Sequence, residues 1–258
     1  MTDWIADFGR TAADYDRHRP GFPDSLYVRL ASLGWIRRGL RTLDVGTGTG
    51  SLALGLARRG LDVVGIDPAS ELLGVAARRA EALGVDVRFR EGTAEETGLE
   101  AASLDLVTAG HCWWWLDADR TMAEVKRVLV PGGRLLIANF SYLPTAGGAA
   151  AATERLILAH NPRWPKSGES GVFEDQLRDL DGAGLAGVES FSYVEPVTFT
   201  HEGWRGRIRA CSGVGASLVP AAVEAFDREL TELLAASFPD ELVIPHRVFV
   251  ATGRVGGR

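Results

Sequence analysis

The chain has 258 residues, 46% of them hydrophobic, enough to bury a sizeable core as one domain with insertions. Its 28 basic and 34 acidic residues give a net charge of -6, which offers no general attraction for nucleic acid or an anionic membrane and points to a small-molecule partner. Two cysteines, Cys112 and Cys211, with no Cys-x-x-Cys pair, supply no metal-ligand spacing, so no metal is expected and free thiols in a reducing cytoplasm are.

Met1-Thr-Asp-Trp-Ile-Ala-Asp-Phe carries acids where a signal peptide carries bases, so export is not expected. The first 38 residues read as a helical preface. Within it Leu26, Leu30 and Leu33 stand at helical spacing from 24 to 33, with Asp24 or Ser25 as cap. Then follow strand 41–45, helix 50–59, strand 62–66, helix 70–83, strand 86–90, strand 104–109, helix 118–129 capped by Asp117 or Asp119, and strand 133–139. The uncharged stretch from Leu135 to Thr153 is broken by Asn139, Ser141, Pro144, Gly147 and Gly148, so it is not one membrane-spanning helix.

An insertion over 144–170 holds a helix, 149–160, and a loop in which Pro162 and Pro165 forbid regular helix. Helix 172–183 leads to strand 188–200. A second insertion, 201–240, carries helices 201–211 and 221–237, the latter with Val223, Phe226, Leu230, Leu233 and Leu234 on one stripe; strand 242–252 closes the chain. Seven strands alternating with helices predict an α/β fold, a doubly wound and mostly parallel sheet. The expected organisation is a single domain over 1–258, with the preface as a lid and both insertions capping the carboxyl edge of the sheet.

The most informative segment is Leu43-Asp44-Val45-Gly46-Thr47-Gly48-Thr49-Gly50, a buried strand running into glycines at alternate positions. Without Cβ atoms the chain can turn sharply and a ligand can lie against bare backbone. One helix later Gly65-Ile66-Asp67 ends the next strand in a carboxylate; in a right-handed crossover both strand ends open on one edge, where Asp67 would hold ribose hydroxyls. A dinucleotide fingerprint would need glycine at 51, where Ser51 stands, and this weakens a pyrophosphate reading.

With Val128-Leu129-Val130-Pro131-Gly132-Gly133-Arg134-Leu135, these segments resemble the class I S-adenosylmethionine-dependent methyltransferases, firmly over 41–139 and by strand order beyond. The resemblance implies S-adenosyl-L-methionine as cofactor and S-adenosyl-L-homocysteine as product. It places Asp44, Gly46, Thr47, Gly48 and Gly50 around the methionine moiety and Asp67 on the ribose. Pro68 or Ala69 then touches the adenine, Thr93, Glu95 or the backbone of Ala94 serves its amino group, and Ala109-Gly110-His111 lines the cleft beneath the sulfonium. Tyr15-Asp-Arg-His-Arg-Pro-Gly-Phe-Pro23 is similar to the preface of trans-aconitate-like members, which makes Tyr15 and Arg19 candidate cofactor contacts.

Methyl transfer is an in-line displacement that needs alignment and exclusion of water more than acid–base groups. Where the acceptor must lose a proton, His111 has the best address of the five histidines. Trp115, Trp164, His201, Trp204 and Arg205 are the candidate acceptor contacts. The expected function is methylation of a small molecule, a secondary metabolite or organic acid. The alternatives are a methyltransferase-fold protein that catalyses a cyclisation or decarboxylation, a non-enzymatic cofactor- or partner-binding protein and, more distantly, a nicotinamide-dependent oxidoreductase.

Overall fold

The computed structural model describes residues 17–256, so Tyr15 lies outside the described residues. Helix α1, Asp24–Ser32, buries Leu26, Tyr27 and Leu30. It starts on Pro23, whose carbonyl takes the Leu26 N–H, with no side-chain cap. Neither Asp24 nor Ser25 serves as the expected cap because both are committed elsewhere, Asp24 to Arg59 at 3.0 Å and Ser25 to the Tyr193 hydroxyl at 2.8 Å.

Strand β1, Arg41–Val45, is followed by α2, Ser51–Ala57, then β2, Asp62–Asp67, α3, Ser70–Leu83, and β3, Val87–Glu91. After these come β4, Leu104–Gly110, a 3-10 turn at Trp113–Trp115, α4, Ala118–Val128, and β5, Leu129–Tyr142. The chain ends with α5, Ala149–His160, α6, Glu174–Gly182, β6, Ala186–Phe199, α7, His201–Arg209, α8, Pro220–Ser237, and β7, Leu242–Arg254. Asp117 caps α4, its carboxylate accepting the Arg120 N–H.

All seven strands join one sheet in the order β3-β2-β1-β4-β5-β7-β6. Pairings β1–β2, β1–β4, β2–β3 and β4–β5 are parallel, with Val45 opposite Ile66 and Ala109, Asp67 opposite Glu91, and Gly110 opposite Ala138. The order reverses beside β1, and the carboxyl ends of the parallel strands open on one edge, where open α/β sheets take ligands. β7 runs antiparallel to β5: the Gly132 N–H meets the Val255 carbonyl near one end, and the Leu143 N–H meets the Pro245 carbonyl near the other.

The chain divides into two compact units. The first comprises Gly21–Phe140, Phe173–Tyr193 and the residues from Val248. Its core gathers Leu43, Val45, Ile66, Val107, Val125, Ile137, Leu180 and Phe249, the inward positions of the parallel strands and their covering helices. The second comprises Ser141–Val172 and Val194–Arg247 with the described residues up to Pro20, and so holds both insertions. Its core is Ile157, Trp164, Trp204, Ile208, Phe226, Leu230, Leu234 and Ile244. The expected stripe on α8 is realised: Phe226, Leu230 and Leu234 are fully buried, while Val223 and Leu233 pack at its margin.

Candidate functional site

The turn after β1 is left-handed at each of its glycines, with φ of +59° at Gly46, +54° at Gly48 and +80° at Gly50, a conformation that costs an L-residue about 1–2 kcal/mol. Gly46 is also required by packing, since a Cβ there would stand 2.8 Å from the Cys112 side chain. At Gly48 a Cβ would meet nothing within 4 Å. The bare Cα of Gly48 therefore faces open space. Arg79 on α3 braces the turn, donating to the Thr49 carbonyl and hydroxyl at 3.2 and 3.1 Å.

Asp44 and Thr108 are partners in the β1–β4 register, so their side chains share a face, and the Thr108 hydroxyl donates to Asp44 at 2.6 Å. The Thr47 hydroxyl donates to the other oxygen at 2.7 Å. It reaches there over Gly65, where a Cβ would stand 3.0 Å from the Thr47 methyl and 2.9 Å from the Phe89 ring. Burial, opposed by these hydroxyls and reinforced by the charge of Asp67, pushes the Asp44 carboxyl up to about 6. Asp67 is 7% exposed, one oxygen accepting the Gly48 N–H at 2.8 Å and the other the Ala69 N–H at 2.9 Å. Burial raises its pKa too, and the two amides oppose the rise. The turn and the acid one unit downstream are thus a single hydrogen-bonded assembly, with lone pairs of Asp67 left for further donors.

Comparison with known proteins agrees with this geometry. Residues 43–137 match the family described as "methyltransferase domain". An uncharacterized methyltransferase of Mycobacterium tuberculosis is 42% identical over 135 residues, 52% of this chain and 51% of that protein. The demethylmenaquinone methyltransferase of Thermus thermophilus is 40% identical over 140 residues, 50% of this chain and 63% of that protein. The chain thus spans about half to just under two thirds of the length of these curated relatives. A solved structure of a candidate type II methyltransferase from Anaeromyxobacter dehalogenans superposes with a TM-score of 0.67 at 24% identity, over 93% of this chain and 99% of that one. Residues 43–137 are thus similar to a methyltransferase domain.

The segment after β3 is tied to α4. Glu95 accepts the Asp117 N–H at 3.0 Å, and Glu124, its pKa lowered to about 2 chiefly by Arg127, accepts the Thr97 N–H and hydroxyl at 2.8 and 2.6 Å. Ala94 is buried between the exposed Thr93 and the half-buried Glu95, and Pro68 is exposed. The carboxylate of Glu95 is thus engaged as a structural acceptor, a role that the sequence did not disclose.

Ala109 is fully buried at the end of β4. Gly110 is closely approached, with Leu52 and Phe22 atoms 3.2 Å from where its Cβ would be. His111 follows with φ of +58°, a left-handed backbone in a non-glycine residue. Its N–H donates to the Ala138 carbonyl at 3.0 Å. Its Nε2 sits 2.7 Å from the Phe140 amide nitrogen and 2.6 Å from the Phe140 carbonyl oxygen. The neutral ring with a bare Nε2 accepts the Phe140 N–H, and the protonated ring donates to the carbonyl, so this strand end answers either state. Strain of this kind gathers at functional positions. Phe22 and Trp114 flank the ring at 5.5 and 5.9 Å between centroids. Of the neighbouring tryptophans, Trp113 is buried with its indole N–H on Asp179 at 2.8 Å, Trp114 stacks on Phe173, and Trp115 stands 43% exposed.

The other predicted contacts lie outside the matched domain, in the second unit, where several have their polar groups engaged internally. Trp204 is fully buried and donates to the Thr153 hydroxyl at 3.0 Å. Trp164 is 6% exposed, its indole N–H 3.4 Å from the Ser212 hydroxyl. His201 donates through Nε2 to the Pro239 carbonyl at 2.8 Å. Arg205 pairs with Asp227 and Glu202, bracing α7 against α8. Arg19 is half-buried, and its charge is felt at Lys166, Cys211 and His246. Among the described residues no group of His, Cys, Asp and Glu could hold a metal ion, and no helix is long and apolar enough to cross a membrane.

Proposed function

We propose that this chain is an S-adenosylmethionine-dependent methyltransferase that alkylates a small-molecule acceptor. The observation that carries the reading is the Asp67 carboxylate, fixed by the Gly48 and Ala69 amides beside an open glycine face. Such a carboxylate is preorganised to accept two vicinal hydroxyls. The buried Asp44 offers negative charge to an ammonium, and Gly46 and Gly48 offer backbone with no Cβ in the way. When bound, the cofactor supplies a methyl group on positive sulfur, which needs no covalent help from the protein. What the chain's own residues contribute is alignment, exclusion of water and, through His111, a ring oriented by the Phe140 backbone that can hold an acceptor or take its proton. The curated relatives include a demethylmenaquinone methyltransferase, which supports a small organic acceptor. Two buried free thiols, Cys112 and Cys211, fit the cytoplasm.

Calorimetric titration with S-adenosylhomocysteine tests the cofactor half. Mass spectrometry of reactions with cofactor and a metabolite panel tests the other half, a gain of one methyl mass being the expected result. Rearrangement of an acceptor without mass gain would move the reading to the cyclisation alternative. Binding with no product across a broad panel would favour a binding protein, and absence of binding would end both.

A further inference from the structure

The first unit carries a second concavity, at the opposite edge of the sheet from the glycine turn. Helix α1, the turn that leads from it to β1, and the turn between α2 and β2 line a groove of about 390 Å³. Arg41 opens β1 and Asp62 opens β2, so the groove lies at the amino ends of strands whose carboxyl ends lead into Gly46 and Gly48 and carry Asp67. The length of β1 alone, about 13 Å at roughly 3.3 Å per residue, separates the two places.

The floor of the groove is apolar. Tyr27, Ile36 and Leu61 line it from the core, while Val28 and Ala31 on α1 border it from the solvent side, Val28 with 64% of its surface exposed. Three arginines complete the lining, Arg37, Arg38 and Arg59. Arg59 is fixed in place: its guanidinium carbon lies 4.1 Å from the Tyr27 ring centroid, and it donates to the Gly55 carbonyl and to Asp24, each at 3.0 Å. Arg38 runs along the turn at Gly60, its Cγ and Nη1 2.9 and 3.3 Å from where a Cβ on Gly60 would be.

The acids nearby are engaged with other arginines. Asp24 pairs with Arg59 at 3.0 Å and Asp62 with Arg88 at 2.9 Å. Asp105, the acid on which the charge of Arg37 bears, gives both oxygens to Arg41 at 2.9 Å. Among the described residues neither Arg37 nor Arg38 has an acid within ion-pair distance, and both are exposed. Two guanidinium forks thus border an apolar floor with no carboxylate of the chain closing on them. A volume of about 390 Å³ falls within the roughly 300–1,000 Å³ of small-molecule sites, and the net charge of -6 works against a polyanion.

We infer that this groove is a binding site for a small amphipathic anion, an apolar body carrying one carboxylate or phosphate group. The body lies on Tyr27, Val28, Ile36 and Leu61, where it leaves water, and the head meets Arg37 and Arg38, whose planar forks match either oxyanion. The site does not depend on the methyltransferase reading.

Calorimetric titration of the full chain at fixed ionic strength with phenyl phosphate and benzoate tests it; inorganic phosphate lacks the body, and benzyl alcohol lacks the charge. Saturable binding of at least one aryl anion is expected, with inorganic phosphate and benzyl alcohol at least fivefold weaker, and the tighter aryl anion identifies the head group. Arg37→Gln with Arg38→Gln should weaken binding at least tenfold and Val28→Glu at least threefold, whereas Arg120→Gln, an equal loss of charge on α4, binds as wild type. All four positions are exposed, so circular dichroism should show native folding; if the double variant does not fold, Arg37→Gln and Val28→Glu decide. No binding of either aryl anion to the wild type, or binding that these variants leave unchanged, overturns the proposal. So does displacement of the aryl anion by S-adenosylhomocysteine, which would put the probe in the cofactor site. Hexaglutamate binding where the small anions do not, and lost in the double variant, overturns it too and assigns the groove to an acidic protein partner. Failure of S-adenosylhomocysteine to bind, with aryl anion binding retained, removes the methyltransferase reading and leaves this site standing.

Discussion

Replacing Asp44 by asparagine should stabilise the ligand-free protein at alkaline pH. The carboxyl is 1% exposed and its pKa is raised from 3.8 to about 6, chiefly by burial. Because the folded pKa lies above the unfolded one, the native state binds the extra proton between those values. Asp44 therefore contributes stability that is fully present below 3.8 and lost as pH rises through about 6. The whole gap corresponds to about 3 kcal/mol at roughly 1.36 kcal/mol per unit, of which about half accrues between pH 8 and pH 5. Asparagine keeps the shape, and the Thr47 and Thr108 hydroxyls can each rotate to donate or accept, so the variant escapes the cost of a buried charge with little loss of hydrogen bonding.

Urea unfolding of wild type and Asp44→Asn at pH 8 and pH 5 measures this directly. The advantage of the variant should shrink by about 1 kcal/mol on acidification, and the double difference cancels the titrating groups that are not coupled to Asp44. A double difference below about 0.5 kcal/mol, or one of opposite sign, would refute the claim that Asp44 sits ionised and uncompensated in the empty site.

Three further outcomes are expected. S-adenosylhomocysteine affinity of the wild type should fall about tenfold between pH 7 and pH 5, as Asp44 protonates and ceases to attract the ammonium, and this dependence should flatten in Asp44→Asn; calorimetry across pH checks it. Gly48→Ala should cost about 1–2 kcal/mol of stability from its left-handed backbone, yet lower cofactor affinity more than tenfold, because its methyl enters the open face; urea melts and calorimetry separate the two effects. His111→Asn, which tolerates the left-handed backbone, should leave cofactor affinity within twofold and reduce turnover at least tenfold; unchanged turnover would assign the ring to packing alone.

The strands and helices of 41–139 were legible because each buries one face at a regular period. Helix α3 begins and ends where the spacing predicts, and the motif from Leu43 to Asp67 lies on the expected sheet edge. Less legible were features set by strand neighbours. That Thr108 would hold Asp44 follows from the β1–β4 register, and local spacing says nothing of which residues lie side by side. β5 begins at Leu129, four residues earlier than expected, within the Pro-Gly-Gly segment; there the Gly132 N–H is satisfied by Val255, over a hundred residues away. The 3-10 turn at Trp113–Trp115 was hidden because three identical side chains give no period.

The arginines of α7 show why a residue type at a promising address is not yet a site. Arg205 was the visible candidate, and the structure gives it, together with Arg209 one turn on, to Asp227. The residue turned inward is Arg207, whose direction depends on Trp204 and Ile208 occupying the buried stripe of the same helix. An arginine placed there by burial is held in one orientation by its packing, with its charge little screened by water. The half-buried Arg205 instead pairs with the carboxylates beside it, Asp227 and Glu202. Sequence reading found the helix and its charge; what makes Arg207 different is its burial on the side away from Asp227, with its guanidinium 5.5 Å from the Tyr142 ring centroid. On the same helix, Trp204→Phe should lower stability by about 1 kcal/mol in urea unfolding, because the buried Thr153 hydroxyl loses its indole donor.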